Sequence, residues 1–448
     1  LNMDFTKEYQ QKLVTPEAAA KVIQDGDRVD FAQGCSFPRT FERALAERVG
    51  EVKDVQLRSA ISVAPLQTVE KDPEGKSFTF NLWHCSGLDR KYVNQGKAYF
   101  EPMLFRHCGP YYTKGYVDVD VAVITVAPMD RFGNFSFGLS NCTNQDILDK
   151  AKTIIVEVNE TMPVIFGLTA DHIHISQVDY ILESTDPVAA LPDAAPATED
   201  EIAIANFIFP HLEDEITLQL GIGGMPDTLG TLIAESDLKD LGMHTELMAS
   251  AYLKLYEAGK ITDRKKTIDR GKGIFGTCMG TRELYDFLHY NSNILSAPMT
   301  YTNDPAVIKQ HQKFVSINSC ISMDLYGQVC SESAGTRHIS GTGGQLDFAL
   351  GAYQSKGGKS FICMSSTVTG KDGSLKSRIV PTLTQGSIAT DPRTCVHYIV
   401  TEYGMVNMKG LNTWQRAEQI INIAHPQFRD QLIADAEKAG IWRRSNKR

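Results

Sequence analysis

The feature that most constrains this sequence is a strand–loop–helix unit that occurs twice. In the first half, the strand pattern RVDF precedes the Gly-containing loop AQGCSF and the helical stretch PRTFERALAERV. In the second half, the strand pattern ITLQL precedes the Gly-rich loop GIGGM and the helical stretch PDTLGTLIAES. We interpret this as a duplicated α/β unit, because the helices align without a gap, with Pro38, Thr40, Phe41, Leu45, Ala46 and Glu47 matching Pro226, Thr228, Leu229, Ile233, Ala234 and Glu235.

The rest of the chain alternates in the same way. Apolar strand-like runs such as VDVAVITVA, TIIVEV, FVSIN and SFICMS are separated by helical patterns, which is typical of largely parallel sheets in α/β layers. The stretch 184–201 is rich in Pro, Ala and acidic residues and shows neither helical nor strand periodicity. We therefore predict an α/β protein with two similar open domains, 3–187 and 201–440, joined by a linker over 188–200.

Composition excludes several classes of partner and location. The formal net charge of -9 over 448 residues argues against a nucleic-acid partner. No apolar run approaches the ~20 residues that span a bilayer, and the N-terminal stretch LNMDFTKEYQ has no apolar core of the signal-peptide type, so no membrane partner is expected. The nine cysteines include no CxxC pair and are typical of a reducing cytoplasm, where we expect the protein to act.

Two Gly-rich loops are candidates for ligand binding. The first, Gly221–Asp227 (GIGGMPD), follows a strand and opens a helix, where backbone amides can contact phosphate or a developing oxyanion. It is not a dinucleotide fingerprint, because Pro226 stands where GxGxxG needs its last Gly, and a tight structural turn is the alternative. The second is SGTGGQLDF, with Lys356 shortly after it; a phosphate contact or an ordinary solvated lysine both remain open there.

The sequence offers little for a metal. His172 and His174 in DHIHIS would place both rings on one face of a strand, as some metal sites require. No third ligand accompanies them, and the alternating Ile residues suit an ordinary strand. We therefore predict no metal site.

One carboxylate stands apart from other charges. Glu246 lies in LGMHTELMAS, a run of otherwise uncharged residues that follows the first Gly-rich loop. An isolated Glu is either the partner of a distant cation or a reactive group kept partly out of water. Because a desolvated carboxylate is the stronger nucleophile and Glu can form covalent intermediates, we interpret Glu246 as a candidate nucleophile.

Several ordered motifs together resemble a known family. The first half contains DVAVITVAPMDRFGNFSFG and VEVNETMP, and the second contains GIGGMPD, GMHTELM, TYTNDPAVI, SINSCISMDLYGQV, SGTGGQLDF and IVTEYGMVNMKGL. Over nearly its whole length the chain resembles the family I CoA-transferases of the acetyl-CoA hydrolase/transferase type. Within that family it is most similar to the enzymes acting on 4-hydroxybutyrate and butyryl-CoA.

The resemblance implies a fold and a set of site residues. The fold is a pair of similar open α/β domains of the NagB/RpiA-like kind, with the active site between them. The Glu of the HTE motif is the nucleophile in this family, which falls on Glu246, while Asn303 and Gly344 match positions near the reacting carbonyl. Positions that contact CoA in relatives match Gly221, Ile222, Gly223, Gly224, Met225, Ile321, Gly344 and Lys356.

The activity that the resemblance implies is transfer of CoA between a short-chain acyl-CoA and a carboxylate such as acetate. It would proceed by a ping-pong mechanism through a glutamyl-CoA thioester, with CoA as a substrate, no tightly bound cofactor and a homo-oligomeric assembly. Two alternatives remain. One is an acyl-CoA hydrolase using the same intermediate. The other, from a different class, is a nucleotide-dependent dehydrogenase or nucleotide-binding module using the Gly-rich loops.

Overall fold

The computed structural model describes residues 4–443 and confirms the α/β class. Met3, with which the first predicted domain begins, and residues 444–448 of the basic C-terminal stretch lie outside the described residues. Among the residues that the structure does describe, no helix has the length and apolar character needed to cross a membrane.

The N-terminal half builds a parallel sheet covered by helices. Its strands are β1 (Arg28–Gln33), β2 (Val55–Ala60), β3 (Phe78–Leu82), β4 (Tyr99–Phe100), β5 (Val121–Val126), β6 (Asn134–Ser136), β7 (Thr153–Val158), β8 (His172–His174) and β9 (Tyr180–Glu183). Its helices are α1 (Thr6–Lys12), α2 (Pro16–Ala20), α3 (Arg39–Ala46), α4 (Gln67–Glu70), α5 (Asp89–Asn94), α6 (Cys108–Thr113) and α7 (Asn144–Lys150). The described residues form a sheet of order β4-β3-β2-β1-β5-β7-β9, while β6 pairs with β8.

Alternating side chains of this sheet fill a core on each face. On β5, Val121 and Val123 pack in one apolar cluster with α2 and α3, while Ala122, Ile124 and Val126 pack in another with α6 and α7. Burial on both faces explains why β5 is a continuous apolar run and not an alternating one. Thr15 caps α2, because its side chain accepts from the backbone amide of Ala18.

The C-terminal half repeats this topology. Its strands are β10 (Thr217–Leu220), β11 (Gly242–Met248), β12 (Gly273–Cys278), β13 (Ile294–Ser296), β14 (Phe314–Ser319), β15 (Ser322–Asp324), β16 (Val329–Cys330), β17 (Ser333–Ala334), β18 (Arg337–His338), β19 (Lys359–Cys363), β20 (Thr367–Thr369), β21 (Leu375–Ser377), β22 (Ile379–Val380), β23 (Tyr398–Thr401) and β24 (Gly404–Asn407). The larger sheet has the order β13-β12-β11-β10-β14-β19-β23-β24.

Both large sheets therefore place their first strand in the centre, the next three on one side and the later ones on the other. The second sheet adds β24, which pairs antiparallel with β23. β1 and β10 occupy the same place in the two orders, and each is followed by the helix of the matched sequence pair. The shared strand order supports the duplication inferred from the sequence.

The second half of the chain also contributes helices. They are α8 (Glu199–Ile208), α9 (Gly224–Glu235), α10 (Ala251–Glu257), α11 (Arg282–Leu288), α12 (Met299–Thr302), α13 (Pro305–Ile308), α14 (Gln345–Gln354), α15 (Thr413–Asn422) and α16 (Pro426–Lys438). Pro426 begins α16, and His425 caps that helix through its side chain.

By compactness the chain divides into two units. One comprises the chain up to Asp193 together with Thr245–Ala249 and Lys272–Asn303. The other comprises Ala194–His244, Ser250–Gly271 and the chain from Asp304 onward. The predicted domains 3–187 and 201–440 and the linker over 188–200 remain a prediction from the sequence.

Candidate active site

Glu246 stands near the end of β11, close to β12 and α12. A Cβ atom on Gly276 of β12 would lie 3.1 Å from the Glu246 carbonyl oxygen and 3.0 Å from Met299 Sδ. Gly276 therefore permits an approach that a larger residue would hinder. Although Glu246 retains some exposed surface, its carboxyl group is withdrawn from water.

Asn303 is the hydrogen-bond donor to this carboxylate. It follows α12 directly and is fully buried. Its Nδ2 donates to Glu246 Oε2 at 2.5 Å, while its Oδ1 accepts from Thr302 Oγ1 at 2.9 Å. The bond from Thr302 fixes the orientation of the amide, so the NH₂ group faces Glu246. The structure thus brings together two of the residues that the sequence predicted, 57 positions apart.

Burial raises the pKa of Glu246 from 4.5 to about 7, and the hydrogen bond from Asn303 opposes that rise. Desolvation disfavours the charged form of a carboxyl group, whereas a donor to the carboxylate favours it. At neutral pH both protonation states are therefore populated. The ionised form is poorly hydrated, which is the condition that makes a carboxylate a strong nucleophile.

Apolar and neutral side chains provide the low dielectric around Glu246. Cys108, Cys142 and Met299 belong to one buried apolar cluster with Trp83 and Phe105 among its members. Burial raises the pKa of the Cys142 thiol to about 12 and that of Cys108 well above its usual value, with the Glu246 charge adding to both effects. Both thiols are neutral at physiological pH, so they add no charge beside Glu246.

The first Gly-rich loop lies between β10 and α9. Gly223 has a φ of +124°, a left-handed conformation that favours glycine. A Cβ atom on Gly224 would lie 2.3 Å from the Glu201 carboxylate, which is held in the capping box of α8 by the Thr198 backbone amide. Glycines are therefore required here by the backbone conformation and by the neighbouring cap.

This loop lines a cavity of about 110 Å³, together with the carboxyl ends of β14 and β19. Ile222 is exposed at its mouth, and Arg378 contributes a guanidinium group to its lining. Arg378 was missed by the sequence analysis, because no local motif surrounds it and it is more than 150 residues from the loop. A loop of glycines, a helix beginning at Gly224 and a nearby guanidinium are features that favour an anion, while the Glu201 carboxylate, held by its own cap, also lines the cavity.

Two other predicted positions lie at the same edge of the sheet. Ile321 follows Cys320, which lines the cavity. Gly344 immediately precedes α14, whose first residue, Gln345, donates from Nε2 to the carbonyl of the cavity residue Ser319 at 2.9 Å. Ile321 and Gly344 therefore adjoin residues at the cavity end of the sheet, although neither is among the residues that line the cavity.

Lys356 lies elsewhere. Its carbonyl accepts from the amide of Lys313 at 2.8 Å, and Lys313 directly precedes the amino end of β14. Gly221, by contrast, donates its amide to Ile317 near the carboxyl end of that strand. The structure thus places the exposed Lys356 at the opposite edge of the sheet from the loop and does not bring it to the cavity.

The His172 and His174 pair is engaged locally. In β8, His172 Nδ1 contacts Asp171 Oδ1 at 2.5 Å, and His174 contacts Ser176 Oγ at 2.8 Å and the Phe132 carbonyl at 3.1 Å. Within residues 4–443, no group of three potential ligands includes this pair. That the His172 and His174 pair holds no metal remains a prediction.

Comparison with known proteins gives two family matches. Residues 2–192 match the model described as the acetyl-CoA hydrolase/transferase N-terminal domain, and residues 280–436 match the acetyl-CoA hydrolase/transferase C-terminal domain. Together these matches cover well over half of the chain.

Individual relatives match over nearly their full length. The chain is 49% identical to a butyryl-CoA:acetate CoA-transferase of Anaerostipes caccae, covering 99% of this chain and 100% of that protein. It is 38% identical to a 4-hydroxybutyrate coenzyme A transferase of Clostridium kluyveri, covering 97% and 100%. The crystal structure of RipA from Yersinia pestis is similar with a TM-score of 0.89 and 33% identity, covering 98% and 100%.

Proposed function

Because the chain belongs to the acetyl-CoA hydrolase/transferase family, we propose that it is a CoA-transferase acting between a short-chain acyl-CoA and a carboxylate. The acyl donor is butyryl-CoA or 4-hydroxybutyryl-CoA, and the acceptor is an acid such as acetate. These substrates are taken from the printed functions of the relatives at 49% and 38% identity. CoA is a substrate and product in this proposal, with no tightly bound cofactor.

The observation that carries the proposal is the Glu246–Asn303 pair. A carboxylate that is to attack a thioester must be poorly hydrated, ionisable near neutral pH and close to a donor for the developing negative charge. Glu246 has a pKa raised to about 7 by burial, and Asn303 Nδ2 lies 2.5 Å from its Oε2. This is the chemistry that a glutamyl nucleophile needs.

The first half-reaction makes the glutamyl thioester. The Glu246 carboxylate attacks the acyl carbonyl carbon, and the C–S bond breaks to give an acyl-glutamyl anhydride and CoA thiolate. The thiolate then attacks the glutamyl carbonyl, and the anhydride C–O bond breaks to release the first acid. Each attack creates a tetrahedral oxyanion, for which Asn303 and the amides of the Gly-rich segments, including Gly344, are the proposed donors.

The second half-reaction reverses these steps with the acceptor acid. Its carboxylate attacks the glutamyl thioester and displaces the thiolate, giving a new anhydride. The thiolate then attacks the acceptor's acyl carbon, which releases the new acyl-CoA and regenerates the Glu246 carboxylate. The overall reaction consumes neither electrons nor water.

We assign CoA contacts to the cavity side of the Gly-rich loop. Gly221–Met225 supply backbone amides, Ile321 and Gly344 lie at the same edge, and Arg378 supplies a cation. The guanidinium suits a phosphate or carbonyl oxygen of CoA through charge-assisted hydrogen bonds. Lys356 has no role in this assignment, because it lies at the other edge of the sheet.

We further propose that the enzyme works in the cytoplasm as a homo-oligomer. The nine cysteines are free thiols in the structure, which suits a reducing compartment. The oligomeric state is measured by light scattering of the purified protein across a range of concentrations, where a monomer mass throughout would contradict that part of the proposal.

A transfer assay tests the reaction itself and separates it from hydrolysis. Butyryl-CoA is incubated with isotopically labelled acetate, and CoA esters are separated by mass. The proposal predicts labelled acetyl-CoA that forms only with acetate present. Release of free CoA at the same rate without acetate would instead identify a hydrolase. A dehydrogenase or nucleotide-binding module would be stabilised by NAD and not by CoA in a thermal-shift experiment.

A further inference from the structure

A cluster of three potential metal ligands, His244, Asp269 and His311, lies in the second compact unit. One ligand atom from each residue lies within 4.8 Å of the others. We propose that these three side chains form a binding site for a divalent transition-metal ion of the zinc class. The site is separate from the acyl-transfer chemistry, in which no metal takes part.

The three ligands come from three segments of the chain. His244 is in the middle of β11, and Asp269 lies in the segment that leads from α10 to β12. His311 lies in the turn between α13 and β14. An ion held by all three would tie these segments together. His244 precedes Glu246 by two residues in the same strand, so the ion would also hold the strand that carries the proposed nucleophile.

His311 provides the second, independent observation. Its side chain is fully buried, and among residues 4–443 neither of its ring nitrogens has a hydrogen-bond partner. A buried imidazole without partners is unfavourable, because its donor and acceptor have left water without replacement. Burial also lowers the pKa of His311 far below its usual value, which keeps the ring in the neutral form that binds metals.

The surroundings are those of a metal site with a limited opening. The rings of His244 and His311 lie with centroids 4.9 Å apart, and Phe314 packs against both. Phe348 also packs against His244. Asp269 is only partly buried, so an ion has a path from solvent to the cluster. An apolar shell around imidazole ligands restricts water and strengthens electrostatic binding.

A buried cation nearby is compensated. Lys266 Nζ donates to the Met243 carbonyl at 2.9 Å, and the Asp263 carboxyl group is its principal charge partner. Asp263 is in turn fixed by the Met243 amide and the Tyr256 hydroxyl. Asp269 is a second charge partner of Lys266, so an ion held by the cluster would share the Asp269 carboxylate with that ammonium group.

Ligand chemistry selects the ion. Two imidazole nitrogens and one carboxylate oxygen suit zinc, with a fourth position left for water. Zinc–nitrogen bonds are about 2.0 Å, which places tetrahedral ligands about 3.3 Å apart, so closing around the ion needs side-chain movements of about 1 Å. Calcium and magnesium are disfavoured because they prefer all-oxygen ligation.

The test measures binding directly on the full-length protein, without substrate. Protein stripped of metal with EDTA is titrated with Zn²⁺ against a chromogenic chelator to give stoichiometry and affinity. Co²⁺ is then added as a spectroscopic probe. The proposal predicts one tight equivalent of Zn²⁺ and a Co²⁺ spectrum of tetrahedral nitrogen and oxygen ligation without a thiolate charge-transfer band.

Variants locate the ion. Asn has the same shape as Asp, and Asp269 is partly exposed, so the Asp269→Asn variant is expected to fold. This variant should bind Zn²⁺ at least 10-fold more weakly than the parental protein. His311→Gln should abolish the tight equivalent. Matched controls are His172→Ala, which removes the exposed ring of the His172 and His174 pair, and Cys395→Ser, which removes the one thiol that is not buried. Neither control should change the affinity.

Three results would overturn the proposal. The first is the absence of a tight equivalent in the parental protein. The second is unchanged affinity in Asp269→Asn when circular dichroism shows a folded protein. The third is loss of binding in either control, which would place the ion on the surface histidines or on a cysteine.

Discussion

Glu246→Gln is predicted to stabilise the protein while abolishing transfer. Burial raises the pKa of Glu246 from 4.5 to about 7, so the folded protein holds its proton more tightly than the unfolded chain does. The stabilising contribution of this neutral acid is fully present below pH 4.5 and is lost as the pH rises through about 7. Gln cannot ionise and still accepts a hydrogen bond from Asn303, so it avoids that loss.

The magnitude follows from the pKa. A rise from 4.5 to about 7 corresponds to roughly 3 kcal/mol of unfolding free energy at pH 8, when the parental carboxylate is ionised. At pH 4.5 the corresponding difference is close to zero. For a chain of this size, that free energy raises the midpoint of thermal unfolding by about 2 to 5 °C.

The assay is thermal unfolding of parent and variant in matched buffers between pH 5 and pH 8.5. Glu257→Gln serves as the control, because Glu257 is exposed at the end of α10 and the variant makes the same chemical replacement away from Glu246. The reasoning is refuted if the gap between Glu246→Gln and the parent does not widen as the pH rises, or if the variant is the less stable protein at pH 8.

Three further predictions concern catalysis. The value of kcat/KM for butyryl-CoA should rise about tenfold per pH unit below pH 7 and level off above it, since the attacking Glu246 must be ionised. A flat profile from pH 5.5 to 8 would contradict this requirement for ionised Glu246. Asn303→Ala should lower kcat about 10²- to 10³-fold and raise the pH below which kcat/KM falls, because a hydrogen-bond donor to the carboxylate is lost. If that pH did not change, Asn303 would not act on Glu246. Arg378→Ala should raise KM for the acyl-CoA about tenfold with kcat nearly unchanged, whereas Lys371→Ala, which removes an exposed cation, should not; equal effects would remove Arg378 from the CoA site.

The fold was predictable because its signals are local. The strand–loop–helix pattern and the apolar run of β5 each depend on neighbouring residues, and each has the structure expected of it. The repeated order of the two large sheets agrees with the duplicated sequence unit. Boundaries were less predictable. The Gly-rich loop ends earlier than expected, with α9 beginning at Gly224.

The site was predictable only in part, because it depends on residues far apart in the chain. Glu246 was indicated by its uncharged neighbours, and Asn303 by a family resemblance; only the structure brings the two into contact. Arg378 carries no motif, and its place beside the Gly-rich loop comes from the packing of β14, β19 and the segment that follows. Lys356 was grouped with the second Gly-rich loop because it is near in sequence, but α14 intervenes and carries it to the other edge.

The most direct test of the central claim is to trap the covalent intermediate. The enzyme is incubated with butyryl-CoA without an acceptor acid, treated with borohydride, which reduces a glutamyl thioester to an alcohol, and digested for peptide mass spectrometry. The account predicts reduction of Glu246, which disappears when acetate is added before the borohydride. Reduction at another acidic residue, or transfer to acetate with no acidic residue ever modified, would contradict it.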